Sequence, residues 1–85
     1  MLHLPFITLD EESDVPFYQQ IYESVRRAIL SGELFPGKQL PASRFLAQQL
    51  GVSRTTVLNT YDQLLAEGYL ESKRGAGTFV AAPLP

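Results

Sequence analysis

Hydrophobic side chains recur at intervals of three and four residues between positions 18 and 29, which is the spacing of one face of an α-helix. The positions that share this face are Tyr18, Ile21, Tyr22, Val25, Ala28 and Ile29. Pro16 is tolerated in a first helical turn, and Gly32 can end a helix in the left-handed conformation. The pattern therefore predicts a first helix that begins near Pro16 and ends at Gly32.

Two further helical stretches flank Gly51. The first covers roughly Ser43 to Leu50, with Leu46, Ala47 and Leu50 facing inward. Ser53 is suited to cap the second, which stops at Gly68 and carries on its inward face Val57, Tyr61, Leu64 and Leu65. A short helix, a turn with glycine and a longer helix are typical of the helix-turn-helix motif, whose second helix enters the major groove of DNA. The predicted recognition helix covers about residues 53–67.

The remaining elements are short and extended. Tyr69–Lys73 and Thr78–Val80 are strand-like, and the glycine-containing stretch 74–77 between them predicts a β-hairpin at about residues 70–80. The stretch 35–38 (Phe-Pro-Gly-Lys) predicts a turn that leads into a short extended piece up to Leu40. The predicted fold is mainly α with a small β-hairpin, a winged helix-turn-helix made of a three-helix bundle plus a wing.

Composition limits the chain to one small domain. Its 85 residues are 45% hydrophobic and 19% charged, which suffices for a core, and the absence of cysteine excludes disulfides and thiolate metal sites. The single histidine, His3, lies near the N-terminus and argues against a metal site. No apolar run is long enough to span a bilayer and no secretory signal pattern is present, so we expect a cytoplasmic domain without a membrane partner.

We expect three regions along the chain. Residues 1–15 form an N-terminal segment that ends in an acidic cluster, residues 16–80 form the winged domain, and residues 81–85 begin a linker to a C-terminal domain that this sequence lacks. Net charge is −2, whereas nucleic-acid binding usually accompanies a basic balance. The distribution changes this picture, because residues 1–37 carry two basic and six acidic side chains and residues 38–80 carry five basic and three acidic ones.

The side chains expected to face DNA lie at the start of the recognition helix. With Val57 at the centre of the buried face, a step of about 100° per residue puts four polar side chains on the outer side: Thr55, Thr56, Asn59 and Gln63. Arginine, asparagine and threonine suit base edges, and Arg54 lies in the first turn. The free N–H groups from Ser53 onward suit a phosphate. Further backbone contacts are expected from Arg44, Lys73 and Arg74.

Each of these side chains alone also fits ordinary polar surface, so the prediction depends on their convergence on one face. Gly75 and Gly77 fit hairpin positions better than a phosphate-binding loop, since no Gly-Lys-Ser/Thr follows them. Phe45 lies off the inward stripe and either packs under the wing or the N-terminal segment, or belongs to an interface.

Two rival functions remain, a winged module for protein contacts only and a small enzyme. The enzyme alternative has no support, because the sequence contains no nucleophile–base pair, no carboxylate pair and no metal-ligand spacing.

These motifs resemble the N-terminal domain of the GntR family of bacterial transcriptional regulators. The resemblance runs from Pro16 to Val80 and is most specific in four stretches: 40–44 (Leu-Pro-Ala-Ser-Arg), 50–57 (Leu-Gly-Val-Ser-Arg-Thr-Thr-Val), 65–70 (Leu-Ala-Glu-Gly-Tyr-Leu) and 75–80 (Gly-Ala-Gly-Thr-Phe-Val). It implies sequence-specific binding of double-stranded DNA by a domain without catalytic activity. The implied DNA contacts come from Arg44, Arg54, Thr55, Thr56 and the wing region at Gly75.

One position departs from the family pattern. Many members carry a second arginine in the recognition helix where this chain has Leu58, so base reading is expected to shift to Asn59 and the threonines. Residues 18–22, the pair Asn59 and Tyr61, and the end of the wing resemble the MocR or PdxR-like subgroup. That resemblance implies no cofactor in this chain but pyridoxal phosphate in the absent C-terminal domain. It also implies a homodimeric parent, whereas this domain alone is expected to be a monomer.

Overall fold

The computed structural model describes residues 7–85, so the expectation for His3 lies outside the described residues. The elements follow the predicted order, and their bounds are α1 Phe17–Ser31, α2 Ser43–Leu50, α3 Arg54–Ala66, β1 Leu70–Lys73 and β2 Gly77–Val80. Ser53 caps α3 at one end and Glu67 at the other, in agreement with the predicted recognition helix. The winged helix-turn-helix prediction is confirmed.

The core forms where α1 crosses α3. The inward side chains of α1 are Ile21, Val25, Ala28 and Ile29, and α3 meets them with Val57 and Leu64. Burial of such side chains is the main term that stabilises a domain of this size. The prediction that Tyr18 faces inward is wrong, because its side chain is 47% exposed. Tyr18 lies in the first turn of α1, where its backbone carbonyl rather than its ring meets α3.

The turn between α2 and α3 fixes how the third helix is presented. Gly51 adopts a φ of +69°, a left-handed conformation that favours glycine, and the N–H of Val52 donates to the carbonyl of Ala47 at 3.1 Å. The Ser53 hydroxyl then accepts the N–H of Thr56 at 3.1 Å, as predicted for an N-cap. Leu46 and Ala47 are buried, while Leu50 and Phe45 are only partly buried. The start of α3 is thereby held at a defined angle to α2.

The wing is a hairpin with a third extended piece beside it. Strands β1 and β2 pair antiparallel from Leu70 with Val80 to Lys73 with Gly77. The predicted extended piece before Pro41 joins β2, because the N–H of Leu40 donates to Thr78 and the N–H of Val80 donates to Lys38, both at 2.8 Å. The wing base is therefore tied to the chain that leads into α2.

Both ends of the described chain lie against this body. Ile7 is buried, and Leu9 and Leu84 pack against the core while partly exposed. The N–H of Ala81 donates to the carbonyl of Tyr69 at 2.9 Å, so residues 81–85 begin along β1. Among residues 7–85, none of the helices has the length and apolar character needed to cross a bilayer.

Candidate nucleic-acid interface

The N-terminal ends of α2 and α3 lie side by side. The Arg54 Nε donates a hydrogen bond to the Ser43 hydroxyl at 3.1 Å, which joins the first residue of α3 to the first residue of α2. Arg44, the next residue of α2, is exposed. Each helix start carries a partial positive charge, so two positive helix ends lie together with the Arg54 guanidinium, and the exposed Arg44 belongs to the first turn of α2. This surface is suited to polyanions.

The first two turns of α3 present polar side chains to solvent. Thr55 and Asn59 are exposed and lie four residues apart, which places them on the same face. Thr56 is less accessible, because its hydroxyl lies 2.8 Å from that of Ser53 within the cap. Ser53 and Thr56, both predicted to contact DNA, are thus engaged in shaping the helix start. The N–H groups of the first two helical residues have no acceptor within the helix.

Gln63 shares the outer side of α3 with Asn59 on a helical wheel, but the structure gives it different surroundings. Its amide nitrogen lies 3.5 Å from the Glu67 carboxylate, at the outer limit of a hydrogen bond. Glu67 in turn accepts a hydrogen bond from the Tyr22 hydroxyl of α1, and this bond is the main cause of the raised pKa of Tyr22. Gln63 therefore lies beside α1, and the sequence pattern contains no signal for that contact.

Two buried hydroxyl groups hold α3 in place. Thr60 is fully buried, and its hydroxyl lies 3.0 Å from the Tyr18 carbonyl and 3.1 Å from that of Thr56. The Tyr61 hydroxyl donates to the Pro41 carbonyl at 2.7 Å, and burial raises the pKa of this phenol. Burial of Tyr61 was predicted. Its hydrogen bond to Pro41, which lies two residues before α2, is a tertiary contact that the local pattern does not show. These bonds fix α3 against α1 and against the start of α2.

The wing places its predicted contacts in two environments. Arg74 and Gly75 are exposed at the turn, whereas the exposed Lys73 holds its ammonium 4.8 Å from the ring centroid of Phe79. That cation–π contact orients the lysine without removing its charge. Gln39, which the sequence analysis did not name, donates its amide N–H to the Ala76 carbonyl at 2.8 Å.

Gln39 also explains why glycine is needed where β2 begins. Gly77 has a φ of +120°, and a Cβ there would lie 2.8 Å from the Gln39 amide nitrogen. The backbone conformation strains any residue with a Cβ, and such a residue would also push the Gln39 amide away from its present place. The wing turn, held in this way, lines a groove together with Leu58 and Asp62 of α3. The wing is therefore adjacent to the recognition helix, as the predicted fold requires.

The described residues do not fit pyridoxal phosphate, which forms a Schiff base with a lysine in an enclosed pocket. The two lysines of the chain are both exposed, and each lies near an aromatic ring, Lys38 near Phe35 and Lys73 near Phe79. Within residues 7–85, no group of three or more histidine, cysteine or carboxylate side chains is placed to hold a metal ion.

Two proteins that are similar to this chain in sequence are regulatory proteins. The chain is 53% identical over 79 residues to the probable rhizopine catabolism regulatory protein MocR of Rhizobium meliloti, which covers 93% of this chain and 16% of that protein. It is 46% identical over 74 residues to the pyridoxine biosynthesis transcriptional regulator PdxR of Corynebacterium glutamicum, covering 87% of this chain and again 16% of the relative. The chain therefore spans about one sixth of the length of these two relatives.

Two solved structures are similar to this chain in both fold and sequence. YtrA from Sulfolobus acidocaldarius, a GntR-family transcription factor, superimposes with a TM-score of 0.83 at 38% identity, over 89% of this chain and 80% of that one. The AraR DNA-binding domain in complex with operator ORR3 gives a TM-score of 0.74 at 38% identity, over 87% and 89% of the two chains. Residues 17–80 match the sequence profile of the gntR family of bacterial regulatory proteins, which are not enzymes. This profile match and the shared winged fold show that the chain belongs to the gntR family.

Proposed function

We propose that this domain binds operator DNA as a double strand, with α3 in the major groove and the wing beside it. The observation that carries the proposal is the surface at the start of α3. There Arg54 is held against Ser43 of α2, and Thr55 and Asn59 are exposed on the adjoining turns. A helix start that combines positive charge with short polar side chains suits both phosphates and base edges.

The side chains divide into two roles. Arg44, Lys73 and Arg74 lie on α2 and the wing, where their charges position the domain on phosphates. Thr55 and Asn59 read base edges, because asparagine can pair with adenine through two hydrogen bonds. Arg54 adds a guanidinium whose Nε is already engaged with Ser43, so its remaining N–H groups are preoriented. Gly75 serves the shape of the wing turn.

Operator complexes of a relative support this proposal. The AraR domain bound to operator DNA shares 38% of its residues and most of its length with this chain. The same surface fits a module for protein contacts less well, since such a module has no need for two arginines and two positive helix ends at one place. We therefore take DNA, and not a protein, as the partner.

The full-length regulator is part of the same proposal. We infer that it acts in the cytoplasm as a homodimer, in which a larger C-terminal domain binds pyridoxal phosphate and holds two winged domains on two half-sites. Two observations support this division of roles between the two domains. The chain covers only 16% of the MocR and PdxR relatives, and the residues of this domain do not fit the cofactor. One domain alone is expected to be monomeric, to show no cofactor absorbance and to bind weakly, because a tethered pair gains from effective concentration.

The experiment is a selection of bound sites from random duplexes, followed by titration of the selected duplex and a shuffled one. We expect one preferred half-site and tighter binding to it by at least tenfold. Fusion of the domain to an unrelated dimeriser should raise affinity at one half-site spacing. Equal binding to the selected and shuffled duplexes contradicts the proposal, and a stable dimer of the free domain in sedimentation contradicts its monomeric part.

A further inference from the structure

Leu58 is a large apolar side chain exposed on the helix that otherwise presents polar groups. Within residues 7–85 the exposed large hydrophobic side chains are Val15, Tyr18, Leu30, Phe35 and Leu58, and Leu58 is the member of this set that lies on α3. It is 37% exposed and directly precedes Asn59. Single exposed leucines are common on protein surfaces, so the position of Leu58 in a groove of the proposed interface, and not its exposure alone, points to a ligand.

The surroundings of Leu58 place it inside the proposed interface. It lies one helical turn after Arg54 and shares a groove with residues of the wing. It lines a groove of about 290 Å³ whose other walls include Ser43 of α2 and Gly77 and Thr78 of the wing. The groove is therefore bordered by three elements that the proposed function brings to DNA.

Asp62 shows which part of DNA the groove can receive. This carboxylate is exposed, follows Leu58 by one turn and lines the same groove. A phosphate is repelled there, whereas a base edge carries no net charge. The major-groove edges of the bases present one purely apolar group, the C5-methyl of thymine. The chemistry of the groove thus matches a thymine edge better than the backbone.

We propose that Leu58 packs against the C5-methyl group of a thymine and thereby specifies that base in the operator. The inference rests on the proposed function and adds a residue that determines specificity through apolar contact. One fully buried methyl group corresponds to about 0.8 kcal/mol, which is about a fourfold change in the dissociation constant. Leu58 acts here beside hydrogen-bonding side chains, so it contributes selectivity rather than most of the affinity.

The test replaces each thymine of the selected half-site, one at a time, by deoxyuridine, which pairs with adenine equally but lacks the methyl group. Binding is measured by fluorescence anisotropy for the unaltered chain and for Leu58→Ala. We expect one thymine whose replacement weakens binding by the unaltered chain about fourfold. Leu58→Ala should bind the thymine duplex about fourfold more weakly and should not distinguish the two bases.

Leu30→Ala is the matched control, because Leu30 is also an exposed leucine but lies on α1. It should keep the full thymine preference, and Leu58→Met should keep most of it. A half-site without a methyl-sensitive thymine, or a methyl effect that persists in Leu58→Ala, overturns the inference while the proposed function stands. A chain that prefers no duplex at all contradicts the proposed function itself. The deoxyuridine series on the unaltered chain gives its answer even if a variant fails to fold.

Discussion

Both halves of α3 carry polar side chains, but these side chains have different neighbours. In the first half, Thr55 and Asn59 are exposed, and Arg54 is held against the start of α2. In the second half, Gln63 contacts Glu67, whose carboxylate accepts the hydroxyl hydrogen of Tyr22 in α1. Thr55 and Asn59 of the first half thus remain available for a ligand, whereas Gln63 of the second half is engaged within the fold.

This contrast shows that polarity alone does not identify a reading surface. Asn59 and Gln63 are chemically similar amides one turn apart, yet α1 packs beside the second of them. The charges follow the same division, because Arg54 lies in the first half and Asp62 and Glu67 lie in or directly after the second. We therefore expect changes at Thr55 and Asn59 to affect DNA binding and changes at Gln63 to leave it nearly unchanged.

The largest expected effect is that of salt on DNA affinity. If three to five basic groups meet phosphates, raising salt from about 50 to 200 mM should weaken binding roughly 40- to 500-fold. Arg44→Ala should weaken all duplexes alike and lower the slope of log affinity against log salt by about one. Arg27→Ala on α1 is the control and should leave the slope unchanged. Binding that is indifferent to salt contradicts the interface.

Removal of Arg54 should have the next largest effect. Arg54→Ala is expected to weaken binding to the preferred duplex about 5- to 150-fold, the range for loss of a good base contact. Ser43→Ala should weaken binding less, because the Arg54 guanidinium keeps its charge and loses only its hydrogen-bond partner. Titration of both variants on one selected duplex checks the order, and a larger loss for Ser43→Ala than for Arg54→Ala contradicts the assigned role.

Loss of the Tyr61 hydroxyl should affect stability more than DNA preference. Tyr61→Phe leaves the Pro41 carbonyl without this partner, which is expected to lower the free energy of unfolding by about 1–2 kcal/mol. Tyr22→Phe removes the hydroxyl that donates to Glu67 in a more exposed pair, so it should lower the free energy of unfolding by less. Urea denaturation followed by circular dichroism measures both. Equal losses at the two positions argue against the importance of burial at Tyr61.

The smallest expected effect is a dependence on alkaline pH. Burial raises the pKa of Tyr61 in the folded state, so its unfolded form loses the proton first, at a pH of about 10. This contribution to stability is complete below pH about 10 and is lost as pH rises further. Tyr61→Phe should therefore show a flatter decline of stability above that pH. An identical decline in both proteins contradicts the role of this phenol.

Local chemistry explains how much of this molecule could be predicted from its sequence. The helix bounds, the left-handed Gly32 and the Ser53 cap each depend on residues within a few positions of one another, and all are found as predicted. The hairpin was placed within one residue, since Gly77 already belongs to β2. Backbone conformation and capping are local properties, so a single sequence specifies them well.

The features that could not be predicted depend on contacts between distant residues. Gln39 reaches the wing turn 37 positions away, and Tyr22 reaches Glu67 across 45 positions. Helical periodicity also placed Tyr18 inward, although α3 meets the backbone carbonyl of this residue and not its ring. A helical wheel gives the direction of a side chain but not which element stands opposite, and that is why Gln63 was grouped with Asn59.

The most direct test of the account compares Asn59→Ala with Gln63→Ala on the selected duplex and on a shuffled one, with folding of both variants checked by circular dichroism. Thr55→Ala serves as a second change in the first half of α3. We predict that Asn59→Ala and Thr55→Ala each weaken binding to the selected duplex by about 1–3 kcal/mol and hardly affect the shuffled one. We also predict that Gln63→Ala binds both duplexes within about twofold of the unaltered chain. Equal losses for Asn59→Ala on both duplexes, or a specific loss for Gln63→Ala as large as that for Asn59→Ala, would contradict it.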